Sequence, residues 1–373
     1  MADRFGGVWL MAGSMIVESV LAMLIPSAAK VHVGAVILLR ALSGVFDGVQ
    51  CPTIISLVAD IAPLSERSRV VGFTMAGTSV GAVVGMLVGG YLCDHAGWPS
   101  VFYTFGLVGC TWTAAWLTVG RCYTSKTRRP SAVGGQVPRR QTPWRHILTS
   151  APVWACALAY TANVWGFVTS LTCFPMYLSD IFGYGMTQNG ILSMLPYIAD
   201  GIMLTASGQL ADLLLRSTGC RPSKGLVRKA FCAVGLLASG TFIVLPGILD
   251  CQRVPIIACL VASVGMIGVS MPNVAANTID LSPSDAGTLM GLSNAVSNAV
   301  SILAPQVVGA LTYGQSTRTQ WTKIFAIVAA IDVAGTILFV LFGSGRRQSW
   351  AAANLDESAD EPDSSQRSPI RTI

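Results

Sequence analysis

Long hydrophobic segments separated by short polar loops dominate the chain. Each segment has about 20 or more residues with few charges, which suffices for a helix to cross the roughly 30 Å hydrocarbon layer of a bilayer. Backbone groups find no water there, so each segment is predicted to be a helix. No segment alternates polar and apolar residues as a barrel strand would. The predicted membrane helices are 8–28, 34–57, 68–92, 99–120, 151–176, 188–212, 227–247, 254–277, 285–311 and 321–343.

The composition supports a membrane location for these ten segments. Of the 373 residues, 52% are hydrophobic and 11% are charged, whereas an average soluble domain has about 25% charged residues. The ten cysteines lie mostly inside the hydrophobic segments, with neither paired spacing nor accompanying histidines. They are predicted to be small buried residues, not metal ligands or disulfide partners. The sequence therefore predicts an all-α polytopic membrane protein without a metal site.

The basic residues predict the orientation of the helices. Cytoplasmic loops of membrane proteins carry an excess of lysine and arginine. Most of the 24 basic residues fall on one side of the predicted bundle, at positions 4, 67 and 69, within 121–145 and 216–229, and after 342. The linker 121–150 and the C-terminus are therefore predicted to be cytoplasmic. Topology also explains the net charge of +6, so no nucleic-acid partner is expected.

Short matches between the two halves of the chain indicate an internal repeat. The matching pairs are Ala2-Asp3 with Ala211-Asp212, 61–67 with 281–285, and 98–102 with 321–325. Four predicted helices follow each Ala-Asp element, two precede the second element, and none precedes the first. We therefore expect a duplicated six-helix unit whose first two helices are missing from this chain.

The repeat and the loop composition predict four regions. A basic linker separates two helical bundles, and an acidic tail that is poor in apolar residues is expected to be disordered. The regions are a truncated N-terminal bundle at 1–120, the linker at 121–150, a six-helix C-terminal bundle at 151–345, and the tail at 346–373.

Several motifs resemble one family of transporters. The opening A-D-R-F-G-G at 2–7 resembles the end of the loop between the second and third helices of major facilitator transporters. The stretches M-L-I-P-S-A-A-K-V-H, A-P-L-S-E-R-S-R and T-I-D-L-S-P-S-D-A-G-T-L-M-G-L-S-N are similar to the anion:cation symporter family. That family includes vesicular glutamate transporters, sialin and sodium-phosphate cotransporters. The resemblance implies the major facilitator fold, with ten of its usual twelve membrane helices in two pseudo-repeated bundles.

The resemblance also implies a cytoplasmic gating loop. In the major facilitator transporters an aspartate and an arginine of this loop tie neighbouring helix ends together. The matching residues here are Asp3 and Arg4, and Asp212 stands at the equivalent place in the second half.

Two charged residues inside the second segment are candidates for substrate binding and proton coupling. Arg40 and Asp47 share one face of the predicted helix and are ~10 Å apart along its axis. The resemblance places this helix beside the central cavity. Arginine offers a planar fork of donors for a carboxylate or phosphate, and a carboxyl can carry a coupling proton. The alternative is that each residue pairs with another helix to hold the bundle together.

Polar residues in two later segments are further candidates for substrate contact. Tyr160 and Asn163 lie in the fifth segment, and the resemblance puts Asn163 where the glutamate transporters have a second arginine. Asn273 and Asn277 face one way from the eighth segment, next to Pro272. Ordinary hydrogen bonds between helices are an equal alternative for these side chains.

Other charges and small residues receive no firm assignment. Glu18, Asp200 and Asp332 lie within membrane segments, where an ionisable residue is costly and commonly functional. A stripe of glycines at four-residue spacing in the third segment predicts close helix packing, on a side that the resemblance turns toward the other half. The stripe consists of Gly77, Gly81, Gly85 and Gly89.

The sequence thus predicts a secondary active transporter of organic anions with glutamate-like or sialic-acid-like carboxylates. The expected mechanism is alternating access driven by a proton gradient or membrane potential. Sodium-coupled transport of inorganic phosphate or a related anion, or a truncated protein that does not transport, remain alternatives. No catalytic residues, phosphate-binding glycine loop or cofactor are expected apart from H⁺ or Na⁺ as coupling ion. The expected setting is a monomer in the bilayer of a vesicle, a lysosome or the plasma membrane.

Overall fold

The computed structural model describes residues 7–61, 67–127, 142–216, 222–249, 253–283, 285–314 and 316–351. All regular secondary structure in these ranges is α-helical, which confirms the predicted fold class. The helices are α1 (Gly7–Val31), α2 (Val33–Ile61), α3 (Arg67–Ala96), α4 (Trp98–Thr127), α5 (Trp144–Thr149), α6 (Ala151–Phe182), α7 (Met186–Arg216), α8 (Lys224–Ile248), α9 (Arg253–Leu281), α10 (Ala286–Ser301), α11 (Leu303–Thr312) and α12 (Arg318–Phe342).

Each predicted membrane segment corresponds to a helix, with two local differences. The segment 285–311 is divided into α10 and α11 after Ser301. Pro305 lacks the N–H that would bond to the Ser301 carbonyl, so the helix is interrupted there. The second difference is the short helix α5, which the hydrophobic pattern did not indicate because it has only six residues, half of them polar, just before α6.

Eight spans in the described chain are long and apolar enough to cross a membrane, counting α10 and α11 as one. The predicted segments that became α4 and α6 are not among them, although these helices have 30 and 32 residues. Tyr, Asn, Thr and Trp side chains lower the hydropathy of α6, yet most of its residues are buried against other helices. A helix surrounded by protein can carry such side chains because they do not face lipid.

The helices of the C-terminal part surround the two main hydrophobic clusters. One cluster joins α6, α9 and α10 to the end of α2, and the other joins α6, α9, α11 and α12. Tyr177 is central to the second cluster, where its ring packs edge-on against Trp321 and Phe325. Helices α6, α8, α9 and α12 each contribute residues to both clusters and so join them.

The N-terminal helices do not all pack against one another. Helix α1 contacts α2 and α4, whereas α3 packs most extensively against α7. This contact uses Ser79 and Gly90 on α3 with Gly190 and Gly201 on α7. The glycine stripe of the third segment points elsewhere, since no neighbouring atom lies within 4 Å of the Cβ positions of Gly77, Gly81, Gly85 and Gly89. Other small residues therefore make the close contact between the two parts.

Candidate functional site

Arg40 and Asp47 lie on an exposed face of α2, near the middle of the apolar span Val33–Ile54. The Arg40 guanidinium carbon is 5.5 Å from the centre of the Phe102 ring on α4, a cation–π contact. In the described chain Arg40 forms no salt bridge with a carboxylate. A permanent positive charge thus stands within a membrane span without a counter-ion from the described residues.

Glu18 belongs to the same region, which the sequence did not reveal. The Gln50 side-chain amide of α2 donates a 2.5 Å hydrogen bond to the Glu18 carboxylate of α1. Glu18 and Asp47 are also close enough for their negative charges to interact. A helical pattern cannot show which residue of α1 meets α2, so this acidic pair became visible only once the two helices were placed.

Tyr160 joins α6 to this face of α2. Its side chain is 4% exposed, and its hydroxyl lies beside the thiol of Cys51, one turn after Asp47. Helix α6 therefore brings a hydrogen-bonding group toward the face that carries the two charged candidates.

Two buried asparagines have amide atoms without a hydrogen-bond partner in the described chain. Asn163 donates to the Ala159 carbonyl at 2.8 Å, but its Oδ1 is unpaired. Neither Oδ1 nor Nδ2 of Asn277 is paired, and the nearby Cys156 thiol donates to the Val274 carbonyl instead. Both side chains therefore have unused capacity for hydrogen bonding. Leaving a buried amide unpaired lowers the stability of the fold.

Asn273 differs from Asn277, although the two are one turn apart on α9. Its Oδ1 accepts a 3.0 Å hydrogen bond from Arg228 Nη1, and its Nδ2 donates to the Val269 carbonyl at 3.1 Å. Arg228 Nε also donates to Asp280 Oδ2 at 3.1 Å. This network fixes the start of α8 against the end of α9, so both ends of the Asn273 amide already have partners within the protein.

Of the three predicted gating residues, the structure describes one. Asp212 is half-buried near the end of α7. Asp3 and Arg4 lie outside the described residues. Their role in a gate stays a prediction.

Asp200 and Asp332 are both buried, in different surroundings. Asp200 on α7 accepts a 2.7 Å hydrogen bond from the Ser79 hydroxyl on α3. Asp332 on α12 is completely buried near Ser239, and neither carboxylate oxygen has a hydrogen-bond partner in the described chain. The described residues contain no cluster of His, Cys, Asp and Glu that could hold a metal ion.

Long apolar helices of membrane-spanning length, with charged and amide side chains along them, define a multi-pass membrane protein. The chain belongs to the Major Facilitator Superfamily, whose sequence profile matches residues 1–305. It is therefore a member of a family of secondary transporters, not of enzymes.

Sequence comparison with individual proteins shows to which members of this superfamily the chain is similar. Human sialin is 32% identical over 364 residues, which cover 94% of this chain and 72% of sialin. Human vesicular glutamate transporter 2 is 33% identical over 377 residues, covering 96% of this chain and 63% of that protein. Zebrafish (Danio rerio) vesicular glutamate transporter 3 is 33% identical over 387 residues, covering 96% and 65%. The resemblance to the anion:cation symporter family is thereby confirmed.

Proposed function

We propose that this protein carries organic anions with a carboxylate group across a membrane by alternating access. Glutamate-like and sialic-acid-like compounds are the substrate classes, and a proton gradient or membrane potential is the driving force. The observation that carries the proposal is Arg40, a charge within a membrane span that has no carboxylate partner in the described chain. Its similarity to sialin and to the vesicular glutamate transporters supports the same substrate class.

Arg40 suits the role of anion contact because its charge is otherwise uncompensated. Within the hydrocarbon layer a charged side chain costs several kcal/mol unless it is paired. The Phe102 ring at 5.5 Å offsets part of this cost and holds the guanidinium in place. An entering carboxylate would supply the missing negative charge through two parallel hydrogen bonds.

Asp47 is the proposed proton-coupling group. It lies on the face of α2 that carries Arg40, and Glu18 faces the same region from α1. Two neighbouring carboxyls repel each other when both are ionised, so binding of one proton by the pair is favourable. A proton bound next to Arg40 would change the net charge of the site and thereby the affinity for the anion.

The amide groups favour a substrate with polar substituents besides its carboxylate. Asn163 and Asn277 keep unpaired atoms, and the Tyr160 hydroxyl lies toward the α2 face. Amides and hydroxyls donate and accept hydrogen bonds without contributing charge. Of the two proposed substrate classes, this arrangement favours the sialic-acid-like compounds, which carry one carboxylate, over the glutamate-like compounds, which carry two.

The test is uptake into proteoliposomes by the 373-residue protein, and by a version extended with any coding sequence found upstream of Met1. Labelled glutamate, sialic acid and phosphate are compared under an imposed pH gradient, an imposed potential, and a sodium gradient. We expect uptake of a carboxylate that Arg40→Ala lowers about 10-fold or more, because a hydrogen bond to a charged group contributes about 1.5–3 kcal/mol.

Arg253→Ala is the matched control, because Arg253 also lies against aromatic rings, at 5.9 Å from Phe182 and 5.8 Å from Tyr184, but at the first turn of α9. Uptake by this variant should match the unmodified protein. Wild-type uptake by Arg40→Ala would refute the anion contact. Uptake of phosphate that depends on sodium would instead establish the inorganic-anion alternative.

A further inference from the structure

Asp200 is buried at a junction of three helices, far from any loop. It lies near the middle of α7, is 2% exposed, and faces α3 on one side and α9 on the other. Helix α3 belongs to the N-terminal part of the chain, whereas α7 and α9 belong to the C-terminal part. The proposed function assigns no task to this carboxyl.

The hydrogen bond of Asp200 crosses from one part of the chain to the other. The Ser79 hydroxyl donates to Asp200 Oδ2 at 2.7 Å, and Ser79 is itself 1% exposed. Farther along the same helix pair, the Thr187 hydroxyl donates to the Asp94 carboxylate, and both of those residues are exposed. The two bonds differ in their surroundings, because the first is buried between the helices and the second is exposed to solvent.

The helices around Asp200 leave its carboxyl little freedom. A Cβ atom on Gly268 of α9 would lie 2.8 Å from Asp200 Oδ1 and 2.6 Å from the Asp200 carbonyl oxygen. A Cβ atom on Gly201 would lie 3.3 Å from the Ser79 Cβ. Glycine at both positions therefore lets α7 approach α9 and α3 closely enough to hold the carboxyl against the serine.

A small cavity of about 80 Å³ adjoins this carboxyl. Its polar side chains are Asp200, Ser79 and Thr78. The remaining lining residues are Met75, Val164, Phe167, Leu204, Ile267 and Met271. A cavity of this size can hold a small number of water molecules, through which a proton could reach the carboxyl.

No cationic side chain compensates the carboxyl within this junction of described residues. Helix α3 presents Met75, Thr78 and Ser79, α6 presents Val164 and Phe167, and α9 presents Ile267, Gly268 and Met271. The other titratable groups nearby are Tyr197, one turn before Asp200, and Cys173 of α6, which lies near Tyr197. A carboxylate in such surroundings depends on its hydrogen bond with Ser79, and a proton would remove the charge altogether.

We propose that the hydrogen bond between Asp200 and Ser79 is a proton-controlled link between the N-terminal and C-terminal helices. The ionised carboxylate accepts the serine proton in a charge-assisted bond, which is about twice as strong as a neutral one. A proton taken from the aqueous phase neutralises the carboxyl, weakens the bond and lets α3 and α7 separate. Loss of that proton restores the link. The inference rests on the proposed function, in which the two parts of the chain move relative to each other.

The direct test measures the separation of α3 and α7 and does not require transport. Nitroxide labels are attached through a keto amino acid at positions 73 and 213, where the native side chains are 75% and 64% exposed. This chemistry leaves the native cysteines unlabelled. Distance distributions are recorded by double electron–electron resonance in lipid nanodiscs, in buffers of about pH 5 and about pH 8.

We expect the unmodified protein to show a larger population of long distances at the lower pH. Asp200→Asn removes the titrating group, so its distribution should be the same at both pH values. Ser79→Ala keeps the carboxyl but removes the donor, and its distribution should resemble the low-pH form at both values. Ser207→Ala is the matched control, because Ser207 bonds to the Gly268 carbonyl at 3.1 Å within the C-terminal part. This control should respond to pH like the unmodified protein.

A pH response of Asp200→Asn equal to that of the unmodified protein would overturn the proposal. So would a distribution that does not change with pH in the unmodified protein, which would make the bond a permanent contact. If Asp200→Asn does not yield a monodisperse protein, Ser79→Ala decides by the same comparison. Absence of uptake in proteoliposomes with an intact distance response would count against the proposed substrate function alone.

Discussion

At the residue scale, α9 carries two asparagines with opposite surroundings. Asn273 is held by Arg228 and by the Val269 carbonyl, and Arg228 is held in turn by Asp280. Both polar atoms of Asn277 lack a partner within the described chain. A paired amide stabilises the helix contact, whereas an unpaired buried amide costs about 1–3 kcal/mol of folding free energy.

This difference predicts opposite effects of one substitution at the two positions. Asn277→Leu keeps the approximate volume and removes the unpaired amide, so the protein without substrate should be stabilised by about 1–3 kcal/mol. Asn273→Leu removes the hydrogen bond from Arg228 Nη1 and places an apolar side chain against the buried guanidinium, so it should destabilise by a similar or larger amount. Thermal unfolding in detergent provides the measurement. A lower unfolding temperature for Asn277→Leu would show that its amide is paired in solution.

The sequence predicted some of these residues better than others. Arg40 and Asp47 were recognisable because a charge inside a long apolar segment is conspicuous in the sequence alone. Arg228 was not, since it follows a basic loop and was counted with the loop residues that set the orientation. The structure instead buries it in α8, at 3% exposure, against Asp280 and Asn273. Spacing along one helix shows a shared face but does not show which partner each side chain meets.

At the scale of helices, the contact between α3 and α7 depends on close approach of their backbones. A Cβ atom on Gly190 of α7 would lie 2.9 Å from the Met86 carbonyl oxygen of α3. Gly90 of α3 lies in the same contact, with its Cβ position 3.4 Å from the Met186 carbonyl oxygen. Small residues at such crossings are what allow membrane helices to pack closely.

Gly190→Ala should therefore push the two helices apart. Insertion of one methyl group into a tight contact costs about 1–3 kcal/mol, and the loss should appear as a lower unfolding temperature in detergent. Gly85→Ala in α3 is the matched control, because no atom of a neighbouring element lies within 4 Å of its Cβ position. Equal stability of the two variants would contradict the close contact.

The sequence predicted the number and order of the long helices but not their contacts. Hydrophobic segments of bilayer length predict the helices directly, because backbone groups in lipid must be paired internally. The glycine stripe of the third segment was expected to meet the other half, whereas the contact uses Ser79 and Gly90 on a different side of α3. Periodicity predicts a face of small residues, and only the placement of all the helices shows which face is covered.

At the scale of the whole molecule, the asymmetry of basic residues predicts the orientation in the membrane. The linker 121–150 and the C-terminus are predicted to be cytoplasmic, and the loop between α6 and α7 lies on the opposite side in that arrangement. The division into two pseudo-repeated bundles stays a prediction from the internal matches. It is consistent with membership of the Major Facilitator Superfamily, which the match over residues 1–305 establishes.

The orientation is tested with epitope tags in cells that express the protein. A tag after Ile373 should bind antibody only after the plasma membrane is permeabilised. A tag after Gly185, in the loop between α6 and α7, should be protected from antibody under selective permeabilisation of the plasma membrane if the protein is vesicular. At the cell surface the same tag should be accessible in intact cells. Labelling of both tags from one side would contradict the predicted topology.

The extensive contact between α3 and α7 also bears on how the protein is made. Helix α3 ends at Ala96 and α7 begins at Met186, so about 90 residues are synthesised between them. At translation rates of about 5–20 residues per second, α3 waits about 5–20 s for its partner. During that interval Ser79 and Gly90 of its contact face have no protein neighbour from α7. We therefore expect the membrane insertion machinery, or a chaperone within the bilayer, to bind this face of α3 until α7 is made.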